Sequence, residues 1–308
     1  MDLGIALGKA QHRAMCFAVS RALGLRQAQV TVVSDRTSLT VPYLHRYIDG
    51  SGTRQIPGLL VHGFGADKET WLLMASLLSR RRPLVLLDLP GFGRASPISG
   101  QLASPAAQAR SLRQIMDAIG VHRVDLIGNS MGGGIGLRLA CDAPDRIHSL
   151  TLINAIAPES IAVQAVASEY NRQLERGDNI LVPEDPDQGV AMMEMLMSRR
   201  PLVPRSVLRY AAAQRIAARD QLQIIFRGWV ECAPEDRLGD PGAIRCPTLV
   251  ICGEKDRVVH PGIAHALADT IPDARLVSMP DIGHLPQLEA PRRTARAIES
   301  FLRKARRA

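Results

Sequence analysis

Apolar residues in this chain follow two rhythms. Nearly unbroken apolar runs at 58–61, 84–87, 124–127, 150–153 and 247–252 alternate with longer stretches at 68–79, 105–120, 132–141, 263–270 and 291–307 that read as helices. A strand covered on both faces has no wet side to show, whereas a helix packed on a sheet keeps one polar face. The alternation therefore predicts a mainly parallel sheet with helices on both faces, and Arg275 to Met279 adds a late strand. Before it, Gln29 to Val33 and Val41 to Ile48 read as an antiparallel pair ending at the turn cluster Asp49-Gly50-Ser51-Gly52. In open sheets of this kind ligands sit beyond the carboxyl ends of the strands.

The rhythm fails between Ala155 and Arg245, where prolines stand at 158, 183, 186, 201, 204 and 234 among helix-like pieces at 160–176, 188–199 and 206–218. We read 155–245 as a helical cap inserted into a core made of 29–154 and 246–308, with 1–28 as an N-terminal helical extension. A helix over 4–26 would gather Leu7, Ala14, Ala18, Ala22 and Leu25 on one face, with Lys9 and Arg13 opposite. Packing on the domain is the first expectation for that face, and peripheral contact with a membrane surface is the alternative.

Composition narrows the class. With 308 residues, 46% hydrophobic and 22% charged, the chain is long and apolar enough to bury a large core, which excludes disorder. The net charge of +8 is mostly arginine spread along the chain, dense only at Arg80–Arg82, Arg199–Arg200 and the C-terminal run Arg303, Lys304, Arg306, Arg307. No nucleic-acid motif accompanies it, so a solvated basic surface is expected and no nucleic-acid partner. The five cysteines form no C-x-x-C pair, and read as buried thiols of a reducing, cytoplasmic location. No run reaches the ~20 apolar residues of a membrane span, and the start Met-Asp-Leu-Gly lacks the features of a cleaved signal.

The chemistry gathers at residues 124–136, where an apolar run ends in Gly128-Asn129-Ser130-Met131-Gly132. A strand turning sharply into a helix needs small flanking residues, and such a turn holds Ser130 at a strand end, facing the donor N–H groups of the helix start. Ser130 is thus a candidate nucleophile; helix capping is its bland alternative. A serine hydroxyl needs a base within hydrogen-bond reach and a group that orients the base. His284, in a Gly-His loop after a strand, is the best placed base. His62 lies in an H-G-x-G turn that suits a wall better than proton transfer, and His12, His45, His122, His148, His260 and His265 read as surface or loop residues. Asp256 is the leading orienting carboxylate, with Glu254 and Asp281 as competitors. A dinucleotide or nucleotide site would need G-x-G-x-x-G after the first strand or G-K-[ST]; neither occurs, and no metal or organic cofactor is expected.

The order Ser130, Asp256, His284 resembles that of the α/β-hydrolase fold. His62-Gly63-Phe64-Gly65, Asp88-Leu89-Pro90-Gly91-Phe92-Gly93, Gly128 to Gly133, Gly253-x-x-Asp256 and Gly283-His284 stand in register with it from about residue 29 to 303. The resemblance implies a mostly parallel eight-stranded sheet, a Ser-His-Asp triad, and an oxyanion hole from the backbone N–H groups of Phe64 and Met131. Relatives that open epoxides or remove halides carry aspartate at the position of Ser130, so neither chemistry is expected.

Within the fold the chain looks most like monoacylglycerol-lipase and esterase-like members, through H-G-F-G-A-D-K-E-T-W, Leu181-Val182-Pro183 with a Met-rich segment, and Gly283-His284 with Glu289 downstream. That likeness implies a small-molecule ester substrate of medium acyl length, bounded by His62, Gly63, Met192, Met195, Met197 and Leu285, although methionines at this spacing also serve as plain core. Gly-Asn-Ser-Met-Gly-Gly also resembles hydrolases that cleave carbon–carbon bonds in ring-fission dienoates, for which Arg199, Arg200 or Arg209 would hold the carboxylate. Gly65-Ala66-Asp67 and Leu285 depart from that pattern. A non-catalytic binding protein on the same fold is the third reading.

Overall fold

The computed structural model describes residues 3–47, 55–162, 179–199 and 204–306. Its strands are β1 (Arg26–Ser34), β2 (Thr37–Arg46), β3 (Gly58–Val61), β4 (Leu84–Leu87), β5 (Val124–Asn129), β6 (Ile147–Ile153), β7 (Thr248–Gly253) and β8 (Ala274–Met279). They form one sheet in the order β1-β2-β4-β3-β5-β6-β7-β8. β2 runs antiparallel to both its neighbours, and β3 to β8 pair in parallel.

The strand side chains alternate between two apolar layers. Leu59, Val61, Val85, Leu87, Leu126, Leu150 and Val250 enter one, with α3 (Pro105–Ala118) and α4 (Met131–Asp142). Leu60, Leu84, Leu86, Ile127, Ile153, Leu249 and Ile251 enter the other, with α2 (Leu72–Leu77) and the C-terminal helix. Each fully buried leucine or isoleucine contributes roughly 1.5–3 kcal/mol of transfer free energy, so both helical layers are held by the same strands. That is why these strands read as nearly unbroken apolar runs.

Local chemistry sets the element ends. The first helix, α1 (Leu3–Ala22), stops four residues before the expected 26, because Gly24 takes φ +66° and lets Gly24 and Leu25 donate back to Arg21 and Ser20. Leu25 therefore lies off the helical face assigned to it, and β1 starts at Arg26, inside the expected 1–28 extension. The stretch 68–79 divides into a 3₁₀ turn at Lys68–Trp71, capped by Asp67, followed by α2. The turn cluster at 49–52 and most of the helix expected at 160–176 lie outside the described residues.

Between β6 and β7 the described residues form no strand. They hold α5 (Pro186–Leu196), α6 (Arg205–Ala217) and α7 (Arg219–Val230). Asp185 caps α5 by accepting from the N–H groups of Asp187 and Gln188. α7 has no counterpart in the sequence reading, although Leu222, Ile225, Phe226 and Trp229 carry the helical i, i+3, i+4, i+7 spacing. α1 packs on α6 so closely that a Cβ at Gly8 would lie 1.9 Å from the Ser206 carbonyl oxygen, and Ser206 Oγ donates to Gln11 at 2.6 Å.

Two polar clusters are built into the core. Asp125, fully buried, accepts from Arg82, Arg306 and Ser149 and meets His148 Nδ1 at 2.8 Å. Burial alone would raise its carboxyl, but hydrogen bonds from His148 and Ser149 with the charges of Arg306 and Arg82 hold it below the usual carboxylate range. Lys68 and Asp88, also fully buried, pair at 2.7 Å below the loop that follows β3. All five cysteines are free, and only Cys252 is fully buried; the other four are half-buried rather than buried as expected.

Arg303 and Lys304 of the C-terminal basic run belong to the helix α9 (Pro291–Ala305), after α8 (Pro261–Thr270). Ile298, Phe301 and Leu302 face the core while Arg303 and Lys304 face outward, and Arg306, just past the helix end, reaches back to Asp125 and the Ile56 carbonyl. Arg303 and Lys304 thus lie on the wet side of an amphipathic helix, and Arg307 is outside the described residues.

Candidate active site

β5 ends at Asn129 and α4 begins at Met131, so Ser130 alone makes the turn, at φ +53° and ψ −121°. The flanking glycines leave no room for side chains: a Cβ at Gly128 would lie 2.5 Å from the Gly132 carbonyl oxygen, and one at Gly132 would lie 2.3 Å from that of Val61. Ser130 makes no side-chain capping bond to α4, so helix capping does not account for it. Its N–H donates to Ile153 O at 2.9 Å, fixing the turn to the end of β6. Met131 opens the first turn of α4, where N–H groups have no acceptor within the helix and the helix dipole favours negative charge.

Asp256 and His284 meet beside this turn. His284 Nδ1 lies 2.7 Å from Asp256 Oδ2, with both side chains buried. The other carboxylate oxygen accepts the N–H groups of Val258 and Val259, at 2.7 and 3.0 Å. An ionised carboxylate can only accept, so in the neutral imidazole Nδ1 carries the proton and Nε2 keeps its lone pair. Asn129 donates to the carbonyls of Ile153 and His284, and Asn154 bridges Gly253 N–H and Gly283 O. The ends of β5, β6 and β7 and the histidine loop are thereby tied together.

The competing carboxylates are engaged elsewhere. Glu254 binds His265 and Ser278; burial would raise its carboxyl, yet these hydrogen bonds hold it below the usual range. Asp281 pairs with Arg199 and Arg293 on the outer surface. This also draws Arg199 away as a carboxylate clamp; Arg209 is exposed, and Arg200 is outside the described residues. Cys252, Glu254 and His265 bring potential metal ligands within 4.8 Å of one another. Glu254 is already hydrogen-bonded there, and burial raises the Cys252 thiol away from the thiolate that a metal takes.

The loop after β3 lies across the site. A Cβ at Gly63 would lie 3.2 Å from that of Ser130, so Gly63 borders the nucleophile position directly. His62 does not line the site: it is fully buried, its Nδ1 donates to Gly63 O at 2.8 Å, and its Nε2 accepts Leu89 N–H at 3.0 Å. Burial lowers its pKa and keeps the ring neutral, as that bonding requires. It braces the loop from the core side. The Phe64 ring lies edge to face with Phe92 and with Phe226 of α7, at 5.8 and 6.4 Å.

Met192, Met195 and Met197 are buried in one apolar cluster with Val258 and Val259, against which Leu285 packs. This cluster sits on the loop that carries Asp256. Leu196 O accepts the His284 N–H at 2.8 Å. Glu289 binds the N–H groups of Ser198 and Arg199 on one side and of Gly283 and Leu285 on the other. The sequence places Leu196 in the Met-rich wall but not at the histidine backbone, and it does not single out Asn154; Glu289, downstream of Gly283-His284, carries a sequence signal.

The arrangement supplies a strained serine at a helix start, a buried imidazole with a free Nε2 lone pair and a fixed carboxylate behind it. Residues 59–291 match the family model described as alpha/beta hydrolase fold. The chain belongs to that family. This α/β-hydrolase is 32% identical over 257 residues to "Lipase 3" of Moraxella sp., covering 83% of this chain and 80% of the relative. It is 29% identical over 254 residues to "Monoacylglycerol lipase abhd6-B" of Xenopus laevis, covering 79% of this chain and 74% of the relative. The solved structure of a membrane phospholipase A described as a bacterial virulence factor superposes with a TM-score of 0.84 at 31% identity, over 98% of this chain and 93% of that one. In the company of such lipases and esterases, the α/β-hydrolase is a carboxylic ester hydrolase.

Proposed function

We propose that this enzyme cleaves medium-chain carboxylic esters, monoacylglycerol-like lipids among them, through an acyl-enzyme on Ser130. The observation that carries the reading is the 2.7 Å pair of His284 and Asp256 beside the Ser130 turn. Ser130 Oγ attacks the acyl carbonyl while its proton passes to His284 Nε2. The oxyanion faces the N–H groups of Met131 and Phe64, which typically contribute about 3 kcal/mol each. Collapse of the tetrahedral intermediate expels the alcohol, which takes the proton from Nε2. Water, deprotonated by the same nitrogen, then releases the acid and restores Ser130. Asp256 holds the imidazole and stabilises its charged form throughout.

The acyl chain is assigned to the Met192, Met195 and Met197 cluster, because thioether side chains repack around a flexible chain at low cost. The likeness to the Moraxella lipase and the Xenopus monoacylglycerol lipase supports a lipid ester. The test is kcat/KM on p-nitrophenyl esters of increasing length and on a monoacylglycerol. The expected profile peaks at medium chain length, and Met195→Ala moves the peak to longer chains; preference for acetate, unaffected by Met195→Ala, would sink the assignment.

We also assign α1 to the surface of an anionic membrane. Among the described residues no helix is long and apolar enough to cross a bilayer. Yet α1 exposes Leu3, Leu7 and Phe17 at 86%, 55% and 69%, at positions i, i+4 and i+14, and also exposes the cations Lys9 and Arg13. Apolar side chains held out on a helix with flanking cations suit the interface of acidic lipid. The full chain should sediment with vesicles containing phosphatidylglycerol, and Leu7→Glu with Phe17→Glu should abolish this at unchanged ester turnover in solution. Equal sedimentation of the double variant would refute the assignment.

A further inference from the structure

We propose that Arg215, carried by α6 in the insertion, is a positioning residue for the Phe64 N–H of the oxyanion hole. The inference rests on the acyl-enzyme reading above. Arg215 is buried, and its guanidinium spans two segments: Nη2 donates to Phe64 O at 3.1 Å, Nη1 to Gly65 O at 2.9 Å, and Nε to Leu181 O at 2.9 Å. Its Cζ lies 5.5 Å from the centre of the Phe64 ring. Gly65, at φ +67°, makes this approach possible, since a Cβ there would lie 2.3 Å from the guanidinium carbon.

Peptide planarity gives these bonds a direction. The Phe64 N–H shares its plane with the Gly63 carbonyl, which is held by His62 Nδ1 from the core side and by Ala66 N–H. The next plane, containing the Phe64 carbonyl, is held by Arg215 from the insertion side. With both planes pinned, the two soft dihedrals of Phe64 are fixed and its N–H cannot swing away as charge develops on the substrate oxygen. Preorganised donors of this kind act because they need no reorientation during the reaction. A planar fork with donors at three nitrogens can hold three carbonyls at once, which a lysine ammonium cannot do in the same plane.

A purely structural clamp predicts lost stability with normal turnover in the folded fraction. A positioning role predicts loss in kcat and in affinity for a tetrahedral mimic. The experiment uses the full chain, p-nitrophenyl butyrate as substrate and a short-chain alkyl trifluoromethyl ketone as the mimic, for wild type, Ser130→Ala, Arg215→Met and Arg215→Lys. In Arg215→Met, kcat should fall about 100-fold with KM within about threefold, and mimic affinity should fall with kcat/KM. Arg215→Lys should fall between that variant and wild type. Folded Arg215→Met with wild-type kcat and mimic affinity overturns the proposal; if that variant does not fold, the same result for Arg215→Lys overturns it. Turnover surviving in Ser130→Ala would instead bring down the acyl-enzyme reading itself, so the two failures are separable.

Discussion

Ser130→Ala should lower kcat for carboxylic esters by about 10⁶-fold while leaving the thermal midpoint within a few degrees of wild type. Loss of the nucleophile leaves only the oxyanion donors and substrate binding, which on their own give a small residue of catalysis. The stability expectation follows from the turn: alanine meets the same strain at φ +53° as serine does, and the serine side chain makes no capping bond to lose. Turnover, labelling by a fluorophosphonate and a melting curve decide the matter together. A folded variant that keeps more than a few per cent of wild-type turnover would remove Ser130 from the chemistry, and a wild-type protein that never labels would favour a binding protein.

Asp256→Asn should cost about 10⁴-fold in kcat with the fold retained. Asparagine can still accept the Val258 and Val259 N–H groups through its Oδ1, which turns its NH₂ toward His284. Nδ1 must then accept, the ring proton moves to Nε2, and the base faces Ser130 with a proton where it needs a lone pair. Glu254→Gln and Asp281→Asn, whose bonds run to His265, Ser278, Arg199 and Arg293, should stay within about twofold of wild type, since no reacting group touches them. The three variants, assayed side by side, test the choice of carboxylate directly: a loss in Glu254→Gln as deep as in Asp256→Asn would reverse it.

The sheet was legible because β3 to β7 are covered on both faces, and that leaves a plain mark in the chain: apolar runs interrupted only by Asp125, Thr151 and Thr248. The Ser130 turn was legible for a related reason, since the crowding around Gly128 and Gly132 admits no side chain and so dictates sequence. The choice among Glu254, Asp256 and Asp281 was only partly legible. All three follow strands, and which one meets His284 depends on where loops fold back. His62 shows the limit more clearly: its position in the H-G-x-G turn was right, but its ring faces inward to the Leu89 and Gly63 backbone, and no local pattern tells the two directions apart. Arg215 and Leu181 act on or through backbone carbonyls and leave no paired residue type to search for. α7 has no counterpart in the sequence reading although its apolar spacing is present: only Ala218 separates it from α6, and no proline or glycine marks the break.

The segment between β6 and β7 grips the proposed catalytic loops at two separate places, through Arg215 on the Phe64 loop and through Leu196 O and the Ser198 bond to Glu289 on the His284 loop. Such a roof is not a door that can stand open while the work goes on beneath it. Raising it would unfasten the donor of the oxyanion hole and the backbone of the base in one movement, so the opened molecule would be inert as well as accessible. Entry of substrate and reaction would then belong to different moments of the cycle, and the residence of the open state would set an upper bound on how fast the enzyme can turn over.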